Sequence, residues 1–301
     1  MINKLARLFA AVIATFGMLA AGVAQAQSTE ERIGQSAPWQ LDLQAPATQM
    51  MAQISDLHHM MLIIVTVITI FVVVLLAIVI LRFNRKSNPT PSKVTHNSLL
   101  EFVWTAIPVV ILVVIAVPSV RLLQLQEDFE KVEPDLVIKA TGYQWYWGYE
   151  YPDEQIAFEA LMLGKGYAEM NDDVREELAE YGYDESVWKL ATDTAIVVPV
   201  NKTVLMQVTG ADVIHAWTVP AFGVKVDAIP GRLNQTWFRA EQIGTYFGQC
   251  SELCGKDHAY MPITVKVVSE QDYAAWLEEA KEEFGVSQIE KPDSVRLAAA
   301  E

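Results

Sequence analysis

Residues 244–268 read GTYFGQCSELCGKDHAYMPITVKVV, and this stretch indicates both a fold and a chemistry. Its two ends, 244–249 and 262–268, are short runs rich in β-branched and aromatic residues, which are typical of strands. The twelve residues between them contain two cysteines, a histidine and a methionine. We therefore predict a loop that joins two strands at the end of a sheet and directs four metal-binding side chains at one point.

Similar short runs recur upstream with turn residues between them, a pattern that favours an antiparallel β-sandwich or barrel. The other predicted strands are 135–141, 144–151, 195–199, 203–208, 213–219 and 234–239. Residues 165–189 interrupt this pattern with acidic residues and helix formers, and are predicted to be a helical or loose surface insertion. Residues 270–284, with Ser269 as the N-cap, are predicted to form an amphipathic helix.

The N-terminus has the pattern of a secretory signal peptide. Lys4 and Arg7 precede the apolar stretch 8–23, and small residues follow up to Ala26. This order of charged, apolar and small residues predicts export and cleavage after Ala26.

Two further apolar stretches are long enough to cross a membrane. Residues 60–81 contain no charge, and 22 residues at a rise of about 1.5 Å each span a hydrocarbon core of about 30 Å. Residues 102–120 contain Pro108 and Pro118, which a membrane-spanning helix tolerates. We predict a transmembrane helical hairpin over residues 60–122.

The charges around the two stretches predict their orientation. Four basic residues lie between them before the first acidic residue: Arg82, Arg85, Lys86 and Lys93. Because basic loops stay in the cytoplasm, both termini are predicted to face the periplasm from a bacterial inner membrane. The predicted order is signal peptide 1–26, periplasmic N-terminal segment 27–59, transmembrane hairpin 60–122, periplasmic domain 127–284 and C-terminal tail 285–301.

The exported part of the chain is strongly acidic. Residues 127–301 contain 32 acidic residues against 14 Lys and Arg, whereas residues 1–126 carry a small net positive charge. Such a field favours a cationic partner and disfavours nucleic acid. The plainer interpretation is that the charge only keeps an exported domain soluble.

The loop supplies donors that suit copper. Cys250 and Cys254 are the only cysteines, and His258 and Met261 follow them within twelve residues. Thiolate and thioether are soft ligands that select copper, and imidazole suits it as well. A second imidazole is offered by His215 on a predicted strand. The other histidines flank the first predicted span or precede the second: His58, His59 and His96.

Simpler explanations exist for each residue of this set. Two cysteines in an oxidising compartment often form a disulfide, a lone methionine often fills a core, and a lone histidine is often a hydrogen-bonded core residue. A structural zinc site would leave Met261 without a role, and a one-copper blue site would leave one cysteine unused. The joint occurrence of all five side chains argues for a site with two metal ions.

Three motifs resemble those of the cytochrome c oxidase subunit II family. Residues 250–261, preceded by the residues DVIHAW at 212–217, are similar to its binuclear copper (CuA) motif. GYQWYW at 142–147 and DAIPGRLNQ at 227–235 are similar to two other blocks of that family, and the acidic insertion after Leu163 is similar to its alphaproteobacterial branch. The resemblance runs from the first predicted span to the C-terminal helix.

This resemblance implies a membrane-anchored, all-β protein: a two-helix transmembrane hairpin followed by a cupredoxin-like Greek-key β-sandwich. It also implies a subunit that accepts electrons from cytochrome c and passes them to haem in subunit I, where oxygen reduction is coupled to proton translocation. Other oxidase subunits, membrane lipid and a cytochrome c with a basic surface are the implied partners.

The resemblance also implies a ligand set. Cys250 and Cys254 would bridge two copper ions through both sulfurs. His215 and Met261 would complete the coordination of one copper ion. His258 and the backbone carbonyl of Glu252 would complete that of the other.

Further roles are implied for other residues, each with a plainer alternative. The Glu252 carboxylate would bind a Mg²⁺ shared with subunit I, although it could be a plain surface acid. Trp145 would receive electrons from cytochrome c, although a buried core tryptophan looks the same in sequence. Glu101 would lie at the mouth of a proton-uptake path, or would merely mark a helix start. Four acids would guide cytochrome c, or would only be solvated: Asp212, Glu150, Asp153 and Asp227.

Related classes of protein fit the sequence less well. A quinol oxidase subunit of this fold would lack the copper ligands, and a nitrous-oxide-reductase-type domain would lack the two spans. A copper carrier would expose its thiols for exchange. The chain has no Cys-x-x-Cys-His motif for a fused haem.

Overall fold

A computed structural model describes residues 33–127, 132–166 and 169–285. The chain divides into two compact units, one with residues 50–127 and the other with residues 33–49 and 133–285. The predicted signal peptide lies outside the described residues, as does the predicted tail beyond Gly285.

Two long helices form the first unit, α1 (Gln49–Arg82) and α2 (Ser98–Glu127). Both are long and apolar enough to cross a membrane, and their apolar side chains are exposed all around the helix, as suits a lipid surrounding. Asn84 follows the C-terminal end of α1, where its Nδ2 donates to the backbone carbonyl of Leu81 at 3.0 Å. Asn97 caps α2, because its Oδ1 accepts from the backbone N–H of Leu100.

The helices are longer than the apolar stretches predicted for them, 60–81 and 102–120. Both extend at each end into polar sequence. Hydropathy locates the part of a helix that suits lipid, whereas the backbone hydrogen bonds continue until a capping residue or another element replaces them. The predicted periplasmic segment 27–59 is therefore helical from Gln49 onward.

Ten strands form the second unit within the described residues. They are β1 (Leu136–Tyr143), β2 (Tyr146–Tyr151), β3 (Ile156–Ala160), β4 (Ile196–Pro199), β5 (Thr203–Gly210), β6 (His215–Val219), β7 (Val224–Ala228), β8 (Asn234–Arg239), β9 (Gly244–Gln249) and β10 (Pro262–Val268). One sheet has the order β3-β2-β1-β5-β8, a second has the order β4-β10-β9, and β6 pairs with β7.

The strand pairing corrects the sequence prediction in two respects. Strands β3 and β7 were not predicted, because IAFEA and VKVDA contain residues of low β propensity, and pairing with β2 and β6 stabilises them instead. An antiparallel arrangement was expected throughout, but β1 pairs with β5 in parallel, and β4 pairs with β10 in parallel. Crossovers of this kind join residues far apart in sequence, which local patterns do not reveal.

One apolar core fills the sandwich. Trp147, Trp217, Tyr149 and Phe238 are almost completely buried in it. The predicted C-terminal helix is confirmed as α4 (Glu270–Phe284), with the Ser269 side chain accepting from the backbone N–H of Asp272 at 3.1 Å. Its aromatic face packs against the same core.

The segment before α1 belongs to the sandwich unit. The backbone N–H of Phe247 donates to the carbonyl of Gly34, and that of Ala47 donates to the carbonyl of Ala221, both at 2.9 Å. The buried Thr48 hydroxyl donates to the carbonyl of Phe222 at 2.8 Å. Residues 33–49 are thus held against the sheet at both ends.

The predicted insertion contains a helix, α3 (Asp172–Glu180), capped by Asn171. Its buried side chains, Val174 and Leu178, pack in a small second core that also includes Phe247 of β9. Because the Phe247 side chain packs in this second core, the insertion stabilises β9, the strand that leads into the cysteine loop.

Candidate metal centre

The loop from Cys250 to Met261 is closed at its base by strand pairing. Gln249, the last residue of β9, lies opposite Pro262, the first residue of β10. The backbone N–H of Cys250 continues this ladder towards the carbonyl of Met261, at 3.4 Å. The register of the hairpin therefore brings the first and last donors of the loop together.

Three other donors of the loop converge on its two cysteine sulfurs. Cys250 Sγ and Cys254 Sγ lie 3.9 Å apart. Cys254 Sγ lies 3.5 Å from both His258 Nδ1 and Met261 Sδ. Cys250 Sγ lies 3.3 Å from the backbone carbonyl oxygen of Glu252. The predicted loop donors are therefore brought together.

His215 reaches the site from β6. Its side chain is completely buried, and its Nδ1 lies 3.9 Å from Cys250 Sγ. The backbone N–H of Ser251 donates to the carbonyl of Ala216 at 3.1 Å, which ties the start of the loop to β6. His215, Cys250 and Cys254 form a group whose ligand atoms all lie within 4.8 Å of one another.

Two residues of the aromatic segment shape the space around the imidazole. Trp147 makes an edge contact with His215, with ring centroids 6.0 Å apart, and its Nε1 donates to the carbonyl of Met261 at 3.3 Å. A Cβ added at Gly142 would lie 2.8 Å from the His215 ring. Glycine is therefore required where β1 passes the imidazole.

The electrostatics of the two thiols differ. Burial raises the pKa of Cys250, but hydrogen bonds from His215 and the backbone outweigh it and lower the pKa to about 7. Burial and then the neighbouring Cys250 raise the pKa of Cys254 to about 12. The Cys250 thiol therefore loses its proton first, and its negative charge opposes the ionisation of Cys254.

The donor chemistry fits copper. Two thiols, a thioether and two imidazoles are the soft and intermediate donors that copper prefers. The sulfurs are far beyond the disulfide bond length of about 2.05 Å. Met261, whose exposed fraction is 1%, has its sulfur directed at a thiol rather than only into the core, a position that a zinc site would not use.

Trp145 contacts the loop from Cys250 to Met261 directly. Its indole is half-buried, and its Nε1 donates to the carbonyl of Cys254 at 3.2 Å. The Gln144 side chain donates to the same carbonyl at 2.8 Å. Sequence reasoning did not single out Gln144, although it lies within the aromatic motif at 142–147.

The carboxylates predicted to bind magnesium and to begin a proton path belong to two different elements, the cysteine loop and α2. Glu252 is exposed, and its backbone carbonyl faces Cys250. Glu101 lies in the first turn of α2, where its Oε1 accepts from the backbone N–H of Asn97 at 3.2 Å. A capping contact therefore accounts for this carboxylate, and its role in proton uptake stays a prediction.

The four predicted docking acids are not equivalent. Asp153 and Asp227 are exposed, and Glu150 makes an ion pair of 2.6 Å with Lys139. Asp212 instead contacts the site, with Oδ1 2.8 Å from His215 Nε2. Burial raises the pKa of Asp212, but hydrogen bonds from His215 and two backbone amides outweigh it and lower the pKa.

Together, the fold and the site define a class of protein: a cupredoxin-like β-sandwich with a soft-donor metal site, preceded by two membrane-spanning helices. Two family models match the chain, "Cytochrome C oxidase subunit II, transmembrane domain" over residues 36–122 and "Cytochrome C oxidase subunit II, periplasmic domain" over residues 136–268. The chain belongs to the cytochrome c oxidase subunit II family.

Individual relatives agree with this assignment. The chain is 55% identical to cytochrome c oxidase subunit 2 of Cereibacter sphaeroides over 270 residues, which cover 88% of each chain. It is 43% identical to the Zea mays subunit over 240 residues, which cover 80% of this chain and 89% of that one. The solved periplasmic domain of subunit II of the Bradyrhizobium japonicum cytochrome oxidase is 50% identical, with a TM-score of 0.43; the match covers 51% of this chain and 99% of that one.

These findings confirm the family, the fold class and the membrane location predicted from the sequence. The chain is therefore a subunit of the cytochrome c oxidase type, and copper is the metal that its donor set supports.

Proposed function

We propose that this chain accepts electrons from cytochrome c at a binuclear copper centre and passes them to haem in subunit I. The observation that carries this proposal is the convergence of two imidazole nitrogens, one thioether and one carbonyl within 3.9 Å of one or other of two adjacent cysteine sulfurs. In this proposal the side chains of His215, Cys250, Cys254, His258 and Met261 would hold two copper ions, which would supply reversible one-electron transfer.

The protein's contribution is rigidity. The loop is closed by the pairing of Gln249 with Pro262, and the carbonyl of Cys254 is held by two side-chain donors from the segment at residues 144–145. Little movement of the donors is therefore needed when an electron arrives or leaves. Such a site suits electron transfer rather than bond-making chemistry.

Trp145 is the proposed point at which electrons enter. Its half-buried ring donates a hydrogen bond to the carbonyl of Cys254, and this contact would provide a short route of covalent and hydrogen bonds to the Cys254 sulfur, one of the atoms that would hold copper. The exposed acids Asp153 and Asp227, with Glu150 and Asp212, would attract the basic surface of cytochrome c.

Location and further ligands complete the proposal. A signal peptide over residues 1–26 and the basic loop between the spans would place both termini and the copper domain in the periplasm. The exposed carboxylate of Glu252 would bind a Mg²⁺ at the interface with subunit I, since hard cations take oxygen ligands. Glu101 would lie at the mouth of a proton-uptake path in addition to capping α2.

Electron paramagnetic resonance of the purified full-length protein tests the metal centre. One electron shared by two copper nuclei gives a multi-line hyperfine pattern, whereas a single copper, zinc or a disulfide does not. Metal analysis of the same sample is expected to give two copper ions for each chain. A colourless, copper-free protein with Cys250 joined to Cys254 would refute the proposal.

The change Met261→Leu tests the thioether ligand. We expect the fold to persist, because volume-conserving swaps in a core cost less than about 1.5 kcal/mol. The reduction potential of the centre is expected to change and electron transfer from cytochrome c to slow. Met206→Leu is a matched control, since Met206 is completely buried in β5. Identical spectra and potentials in the two variants would remove Met261 from the ligand set.

Salt dependence tests the role of the acids. We expect the association of a basic cytochrome c with the oxidase to weaken as ionic strength rises, because the screening length falls from about 10 Å at 0.1 M to about 3 Å at 1 M. The measurement is the association rate by stopped flow over that range. Asp153→Asn is expected to reduce the slope, and a rate that does not change with salt would contradict electrostatic guidance.

A further inference from the structure

The carboxylate of Asp212 joins three parts of the site. Its Oδ1 accepts from the backbone N–H of Val213 at 2.6 Å and lies 2.8 Å from His215 Nε2. Its Oδ2 accepts from the backbone N–H of Gln144 at 2.7 Å. An acid with three such contacts has little freedom to reorient towards a docking protein.

The contact with His215 selects one form of the imidazole. Because a carboxylate accepts hydrogen bonds, it favours the tautomer in which Nε2 carries the proton. Nδ1 then keeps its lone pair, and this is the nitrogen that faces Cys250 Sγ at 3.9 Å. The hydrogen bond also holds the ring plane, which the close approach of Gly142 restricts from the other side.

The contact with Gln144 extends the same restraint to the metal loop. Gln144 Nε2 and Trp145 Nε1 both donate to the carbonyl of Cys254. One carboxylate therefore connects the strand of His215 with the turn that holds Cys254. These contacts form a network of hydrogen bonds that joins Asp212, the turn at residues 144–145 and the carbonyl of Cys254.

We propose that Asp212 is a positioning residue whose carboxylate fixes the orientation and tautomer of His215 and whose negative charge lowers the reduction potential of the centre. This inference rests on the proposed copper function. A negative charge beside a ligand stabilises the oxidised, more positive state of the centre, so its removal raises the potential. The same carboxylate can add to the acidic field that attracts cytochrome c, but that effect does not require a contact with His215.

Three variants of the full-length chain separate the two roles. Asp212→Asn removes the charge but keeps an oxygen that can accept from Nε2, and Asp212→Ala removes both. Asp227→Asn is the matched control. Asp227 is exposed on β7 beside the strand of His215, and its backbone carbonyl, rather than its carboxylate, accepts from Asn234 Nδ2. All three variants change the net charge of the domain equally.

The first measurement needs no copper. In the reduced, metal-free chain labelled with ¹⁵N at histidine, the wild type, Asp212→Asn and Asp227→Asn are expected to show His215 protonated at Nε2. Asp212→Ala is expected to show a mixture of both tautomers. If the Ala variant keeps the wild-type ¹⁵N pattern, Asp212 does not set the tautomer and the proposal is overturned.

The second measurement uses the copper-loaded chain. We expect the potential to shift upward in both Asp212 variants relative to Asp227→Asn, with altered nitrogen hyperfine coupling in the Ala variant. Equal potentials in Asp212→Asn and Asp227→Asn would leave only the docking role. A wild-type chain that fails to bind two copper ions would instead refute the proposed function. The ¹⁵N measurement contains no copper, so its result would still decide whether Asp212 sets the tautomer of His215.

Discussion

Replacing Cys254 with serine is expected to abolish the two-copper signal completely. Cys254 Sγ is the common neighbour of Met261 Sδ, His258 Nδ1 and the other sulfur. A serine hydroxyl is a hard, neutral donor that does not bridge two copper ions at neutral pH. We therefore expect loss of the multi-line resonance spectrum, with electron transfer from cytochrome c falling to background.

Ser251→Ala provides the matched control for this change. Ser251 lies in the same loop, and its hydroxyl donates to the carbonyl of Gln249 at 3.2 Å without approaching the sulfurs in any described contact. The control is expected to keep the copper content and spectrum of the wild type. A Cys254→Ser variant that retained a mixed-valence spectrum would show that one thiolate is sufficient, and the proposed bridging arrangement would be wrong.

Replacing Gly248 with alanine is expected to have the largest effect on stability. A Cβ at this position of β9 would fall on the backbone carbonyl of Thr218 in β6. Neither group is a flexible side chain, so the two strands must separate. Overpacking of a core costs about 1–3 kcal/mol and occasionally more, and we expect a loss in the free energy of unfolding at the upper end of that range.

The separation of these strands also affects the metal site. Strand β9 leads directly into Cys250, and β6 begins with His215, so a shift between them lengthens the Nδ1–Sγ distance. We expect weaker copper binding together with a lower melting temperature, measured by circular dichroism and metal analysis. Gly244→Ala in the same strand is the control, because the nearest atoms to its Cβ belong to side chains, Ile33 at 3.3 Å and Tyr246 at 3.8 Å, and not to the backbone. Equal melting temperatures for the two variants would contradict the explanation.

The chemistry of the site was predictable because its donors are concentrated in one short loop. Cys250, Cys254, His258 and Met261 lie between two strands whose composition is clear from the sequence. A local hairpin closes the loop, so the proximity of these donors follows from the register of neighbouring strands. The two apolar helices were also predictable, since a long uncharged stretch has few other stable surroundings.

His215 was predicted as a ligand from its place on a predicted strand, from elimination among five histidines and from the resemblance of residues 212–217 to a family motif. Its approach to Cys250 depends on the packing of β6 against β9, where Gly248 allows the backbones to meet. The contact between Asp212 and His215 depends in turn on the turn at Gln144, which lies 68 residues away in sequence. Sequence spacing suggested a docking role for Asp212, and the structure adds a contact with the imidazole.

By itself, the sequence determined the identity of the donors, the order of the elements and the apolar spans, because these properties belong to local runs of residues. The tertiary structure alone decided the parallel pairing of β1 with β5 and the attachment of residues 33–49 to the sandwich. It also decided the network that connects Asp212, Gln144 and Cys254. Such contacts join segments far apart in the chain, and their free energy depends on packing and backbone approach that no local pattern encodes.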